Sequence, residues 1–186
     1  MDGCTNGPEG INLFALVVYI PDPLAGFLDG LRRELTPGCL TRAHVTILPP
    51  RPLAISVDAG IKRARDVVSG FAPFDILPGD IEIFDSTDVI YIRIKEGERE
   101  LRDLYRALNT GSLACDEQFP YEPHITLAQD LKPEQVQQVY ALAQKRWAAC
   151  PYVQRIRINR AFFVQSKADC TWVDLAEFQF QGVTVA

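Results

Sequence analysis

From Ile11 to Ile20 ten residues run almost without a polar interruption, and Pro21 ends the run. The β-branched and aromatic stretch Asn12 to Ile20 reads as a buried strand. It is too short to span a bilayer and lacks the basic flank of a signal peptide. Leu24, Phe27, Leu28, Leu31 and Leu35 follow at spacings of three and four, one face of a helix that Pro37-Gly38 stops. A segment carrying His44 comes next and closes at Pro49-Pro50. Ser56 is placed to cap a second helix with apolar positions Ile61, Ala64, Val68 and Phe71. Phe74 to Leu77, Asp80 to Phe84 and Val89 to Ile94 read as strands, with turns at Pro78-Gly79 and Asp85 to Asp88.

The order then recurs. Leu101, Leu104, Tyr105 and Leu108 mark a helix, and a glycine-containing loop leads to a segment carrying His124. A long helix starts near Pro133, a residue favoured at the first helical position, with the stripe Val136, Val139, Tyr140, Ala143 and Trp147. Tyr152 to Val164 and Thr171 to Phe180 are the last strands, joined around Ser166-Lys167-Ala168-Asp169. Two rounds of strand, helix, histidine segment and helix predict an α+β fold. Its two similar lobes carry mainly antiparallel sheets and flanking helices about a pseudo-twofold, with a central cleft. Residues 1–10 read as a flexible tail and 11–186 as a single bilobal domain.

Composition narrows the chemistry. A net charge of −5 argues against a broad footprint on long nucleic acid, which wants a basic face, but leaves room for a small anion. The five cysteines, at 4, 39, 115, 150 and 170, form no Cys-x-x-Cys pair and suit neither a disulfide framework nor a zinc site. Reduced thiols and a cytoplasmic location are expected, with no membrane binding.

Both histidines of the chain sit in one local pattern: Ala43-His44-Val45-Thr46-Ile47 and, 80 residues on, Pro123-His124-Ile125-Thr126-Leu127. Thr is only 9 of 186 residues, so its recurrence two places after each histidine is not a matter of composition. On a strand, residues i and i+2 share a face. His44 with Thr46, and His124 with Thr126, therefore point one way, and the aliphatic Val45, Ile47, Ile125 and Leu127 point the other. Each segment has an apolar back and a front bearing one imidazole and one hydroxyl. Two imidazoles can take a proton from an attacking oxygen and give one to a leaving oxygen, while hydroxyls donate to the oxygens where charge builds. Two histidines without matching Cys, Asp or Glu spacing fall short of a catalytic zinc site. No cofactor is expected, and no Walker or Rossmann glycine loop is present.

These residues resemble the paired motifs of the 2H phosphoesterase superfamily, specifically its 2′-5′ RNA ligase (LigT-like) and cyclic phosphodiesterase branch. Tyr121 to Ala128 is similar to the second motif, including Pro123 before the histidine. The resemblance implies metal-independent action on 2′,3′-cyclic phosphates or 2′-5′ linkages of nucleotides or RNA ends. It implies His44 and His124 as acid and base, with Thr46 and Thr126 holding the phosphate. One departure is Gln129, where many relatives carry a basic residue; Arg51 either supplies that charge or is simply solvated. Phe84 and Phe163, in matching places before the two hairpins, and Tyr121 are candidates for stacking on a base, against a core-packing alternative. Lys167, in the last hairpin turn, is a candidate phosphate contact, against the alternative of a solvated turn lysine, which the turn position favours. The expected partner is a nucleotide or RNA terminus, not DNA, bound by a monomer. The rivals are a ligase running the reverse reaction, a binding module without turnover, and a fold in which both histidines are structural.

Overall fold

The computed structural model describes residues 10–38, 41–169 and 171–182. The expected tail, apart from Gly10, lies outside them. The order is β1 (Gly10–Tyr19), α1 (Leu24–Leu35), β2 (His44–Arg51), α2 (Val57–Ser69), β3 (Phe74–Ile83), β4 (Ile90–Glu96), α3 (Glu98–Leu108), β5 (His124–Ala128), α4 (Pro133–Ala148), β6 (Ile156–Ile158), β7 (Arg160–Lys167) and β8 (Trp172–Gln179). A short 3-10 turn, Gly111–Leu113, precedes β5. One sheet has the order β2-β1-β7-β8 and the other β5-β4-β3-β6, all pairs antiparallel.

The order of elements repeats. β1-α1-β2-α2-β3 corresponds to β4-α3-β5-α4-β7, and β3 and β7 each cross to complete the other sheet, while β6, between α4 and β7, stays in the sheet of β4 and β5. The histidine strands β2 and β5 are the corresponding edge strands and lie against one another. α1 packs on β5 and α3 on β2, so each first helix braces the opposite lobe's histidine strand. The expected α+β fold with two lobes, a pseudo-twofold and a central cleft is the fold found.

Local sequence accounts for the element ends. Asp22 Oδ1 accepts from Gly26 N at 3.1 Å at the start of α1, and Ser56 Oγ from Ala59 N at 3.3 Å at the start of α2. Gly97 turns the chain into α3 with φ +79°, a conformation in which a side chain is strained. Leu28, Val45, Ile47, Ile76, Ile92, Leu101, Leu104 and Ile125 are all buried in one apolar core that runs through both lobes. Each such side chain contributes roughly 1.5–3 kcal/mol by leaving water.

Two expectations are corrected. Pro78-Gly79 is not a turn: β3 passes through it, and the pairing with β4 slips on both sides of Pro78. A residue without an N–H is accommodated at that irregularity rather than by ending the strand. The expected strand Tyr152 to Val164 is two strands. β6 pairs with β3 and β7 with β1, so the chain changes sheets at Asn159.

Candidate active site

His44 and His124 occupy the first positions of β2 and β5. The expected alternation is present in both: Val45, Ile47, Ile125 and Leu127 are at most 1% exposed, while His44, Thr46, His124 and Thr126 are half-buried. All four half-buried residues line one cleft of about 1190 Å³.

The chain entering each motif is clamped by the first helix of its own repeat. In α1, Asp29 Oδ1 accepts from Ala43 N at 2.6 Å. The Arg32 guanidinium donates to Thr41 O at 2.7 Å and Thr41 Oγ1 at 2.8 Å. In α3, Arg102 donates to the Tyr121 carbonyl, to Glu122 Oε2 at 2.5 Å and to Glu98 Oε1 at 2.7 Å. Tyr121 joins the two lobes: its hydroxyl donates to Thr46 O at 2.9 Å, and its ring stacks on Tyr105 with centroids 4.2 Å apart.

These clamps fix the histidine tautomers. His44 Nδ1 is 2.7 Å from Arg42 O, and His124 Nδ1 is 2.6 Å from Glu122 O. A carbonyl only accepts, so each Nδ1 carries the hydrogen. In the neutral ring each Nε2 is left with its lone pair. Burial pushes the His44 imidazole down to about 4; its carbonyl bond opposes this, and the charge of Arg32, with that of His124 when protonated, adds to it. Burial also lowers His124, opposed by its carbonyl bond and by Glu122. Burial thus favours the neutral form of both rings, each with an Nε2 able to accept a proton.

Aromatic rings hold the imidazoles. Trp172 lies 4.7 Å from His44 between centroids, and Phe84 and Tyr91 lie 5.1 and 5.3 Å from His124, near edge-on. Phe84 and Tyr91 stack on each other at 3.9 Å. Burial and Glu82 push the Tyr91 hydroxyl up to about 12, so it stays protonated.

Of the residues expected at the site, His44, Thr46, His124, Thr126, Phe84 and Tyr121 line the cleft. Phe163 does not. It is 1% exposed and stacks on Phe14 at 5.8 Å, because β7 turns Ala161 and Phe163 to the core. Lys167 also lies off the cleft, at the end of β7 opposite Gly10; the last hairpin reaches the cleft through Asp169 and Trp172 instead. Arg51 is neither solvated nor free. It is 2% exposed, forms an ion pair with Glu117, and donates to Asn109 Oδ1 at 2.5 Å and Leu113 O at 2.8 Å. Sequence reading missed Trp172, Tyr91, Phe119 and Arg32 in the lining. Tyr91 carried a signal: it is out of phase with Ile90, Ile92 and Ile94, so it faces away from their core. Among the described residues no three His, Cys, Asp or Glu side chains are grouped to hold a metal, and no helix is long and apolar enough to cross a membrane.

A fold of two exchanged lobes with a histidine and a threonine from each defines a class, and comparison with known proteins supports it. Residues 20–168 match the model of the 2'-5' RNA ligase superfamily, and the chain belongs to that family. A Halalkalibacterium halodurans protein described as a candidate phosphoesterase is 24% identical over 126 residues, 66% of this chain and 73% of its own. Among solved structures, Escherichia coli LigT in apo form is similar with TM-score 0.61 at 15% identity, covering 91% of this chain and 97% of LigT. LigT complexed with 3'-AMP gives TM-score 0.60 at 14% identity, covering 90% and 96%.

Proposed function

We propose that this protein is a metal-independent phosphoesterase that opens 2′,3′-cyclic phosphates, or cleaves 2′-5′ phosphodiesters, of nucleotides or RNA ends. The observation that carries the reading is the matched pair of Nε2 atoms. Two histidines at equivalent strand positions are locked by equivalent carbonyl bonds, and both line one cleft. A phosphate anion seated between them draws a proton onto one ring. The neutral imidazole then takes the proton of the attacking water as the new O–P bond forms. The imidazolium gives its proton to the departing ribose oxygen as the old P–O bond breaks. Each proton transfer is worth about 10²–10⁴-fold. Thr46 and Thr126 donate to the non-bridging oxygens as charge builds there. Phe84 and Trp172 offer apolar faces beside the phosphate position for a nucleobase. The LigT complex with 3'-AMP is consistent with a nucleotide in a cleft of this fold.

The test is turnover of a 2′,3′-cyclic mononucleotide in EDTA across pH. The expected result is hydrolysis with a bell-shaped profile, lost in His44→Ala and in His124→Ala while both variants stay folded. Abolition of turnover by the chelator contradicts the metal-free reading. Binding without product under any condition identifies a binding module instead.

A further inference from the structure

The cleft holds a buried guanidinium that no carboxylate pairs with among the described residues. Arg32, on the last turn of α1, is 5% exposed and lines the cleft beside the His44 strand. Its guanidinium donates only to the carbonyl and hydroxyl of Thr41, both uncharged, and no carboxylate lies within ion-pair distance among the described residues. Its Nε is buried with no hydrogen-bond partner, and so is the hydroxyl oxygen of Thr36 one helical turn on. The other buried arginine, Arg51, is paired with Glu117. The other cation lining the cleft, Arg93, is held by Glu82 at 3.3 Å.

A buried charge without a counter-ion is costly, and a fold keeps one where a ligand supplies the opposite sign. We propose that Arg32 is the cation of an anion subsite at the His44 end of the cleft, neutralising a phosphate of the substrate. This rests on the phosphoesterase reading and extends it with the source of the charge. Arg32 works from behind the cleft wall through its field rather than as an acid or base, so it is a positioning residue. A neutral phosphate isostere is disfavoured by the same argument, and an anionic one is selected.

The test is inorganic phosphate binding, measured by calorimetry at low salt, to wild type, Arg32→Gln and Arg32→Lys, each checked for fold by circular dichroism. If charge is what matters, Arg32→Gln weakens binding at least 10-fold and Arg32→Lys stays within about 3-fold of wild type, although Lys cannot reproduce both bonds to Thr41. The phosphate affinity of wild type and Arg32→Lys falls with salt, and that of Arg32→Gln falls less steeply. Equal affinity in wild type and folded Arg32→Gln overturns the inference and leaves the phosphoesterase reading standing. If Arg32→Gln does not fold, loss of binding in folded Arg32→Lys overturns it, since the charge is then present without effect. Wild type that binds no phosphate at all overturns both.

Discussion

Acidification is expected to destabilise this protein through His44. Burial holds the folded imidazole down at about 4, against about 6.5 in the unfolded chain. Above pH 6.5 neither state binds the proton and the site costs nothing. As pH falls through 6.5 the unfolded chain takes it up and the folded protein does not, so stability drops until the folded ring titrates near 4. At pH 4.5 the unfolded site is almost fully protonated and the folded site roughly a quarter so. Integrating from pH 7 gives a loss of about 2 kcal/mol from this residue. That is a sizeable part of the 5–15 kcal/mol that stabilises an ordinary domain. His124, lowered in the same direction, adds to it. The assay is urea unfolding at pH 7 and pH 4.5 in phosphate-free buffer, on wild type and His44→Gln. Carboxylates titrate in both proteins, so the difference isolates the imidazole. Wild type is expected to lose about 2 kcal/mol more than the variant. Parallel losses, within about 0.5 kcal/mol, refute the claim that burial keeps His44 neutral.

Arg51→Met removes the buried partner of Glu117 and cuts the ties from β2 to Asn109 and Leu113. It is expected to cost about 3–5 kcal/mol in a denaturant melt, and a neutral result means the pair is not buried in solution. Phe163→Ala is expected to cost about 3–5 kcal/mol while leaving KM for a cyclic nucleotide unchanged; a raised KM with unchanged stability restores Phe163 to the substrate site. Tyr121→Phe deletes the bond to Thr46 O that ties the lobes together. Stability is expected to fall by about 1 kcal/mol and kcat to fall severalfold. An unaltered kcat shows that this bond does not set the spacing of the two motifs.

The site was legible where it obeys a local period and hidden where it depends on distant partners. His44-Val45-Thr46-Ile47 and His124-Ile125-Thr126-Leu127 carry their facing in the two-residue alternation of a strand, and burial follows it position by position. Ser56 and Pro133 announce the helices they begin. Arg51 is different, because its burial is decided by Asn109, Leu113 and Glu117, 58 to 66 residues away. Arg32 reads as one more polar residue on an amphipathic helix, and only the placement of Thr41 and of the cleft shows that no carboxylate among the described residues pairs with it. Phe84 and Phe163 look equivalent by distance from a hairpin. Phe84 lies just past the end of β3 and is free to turn toward His124, whereas Phe163 is held in phase with the core residue Ala161 inside β7. The continuous run Tyr152 to Val164 hides a change of sheet, since nothing in its apolar content distinguishes pairing with β3 from pairing with β1.

With only two histidines in the chain, each imidazole gives its own set of nitrogen resonances in long-range proton–nitrogen NMR. Titrating inorganic phosphate at neutral pH reads both walls of the cleft at once, and His124→Ala assigns the signals. The two-histidine phosphate site predicts that both rings start as the Nδ1–H tautomer. Both Nε2 signals then move along one binding curve with a single Kd, with proton uptake as the anion binds. Movement of one ring alone, or two curves with different Kd values, contradicts a shared site.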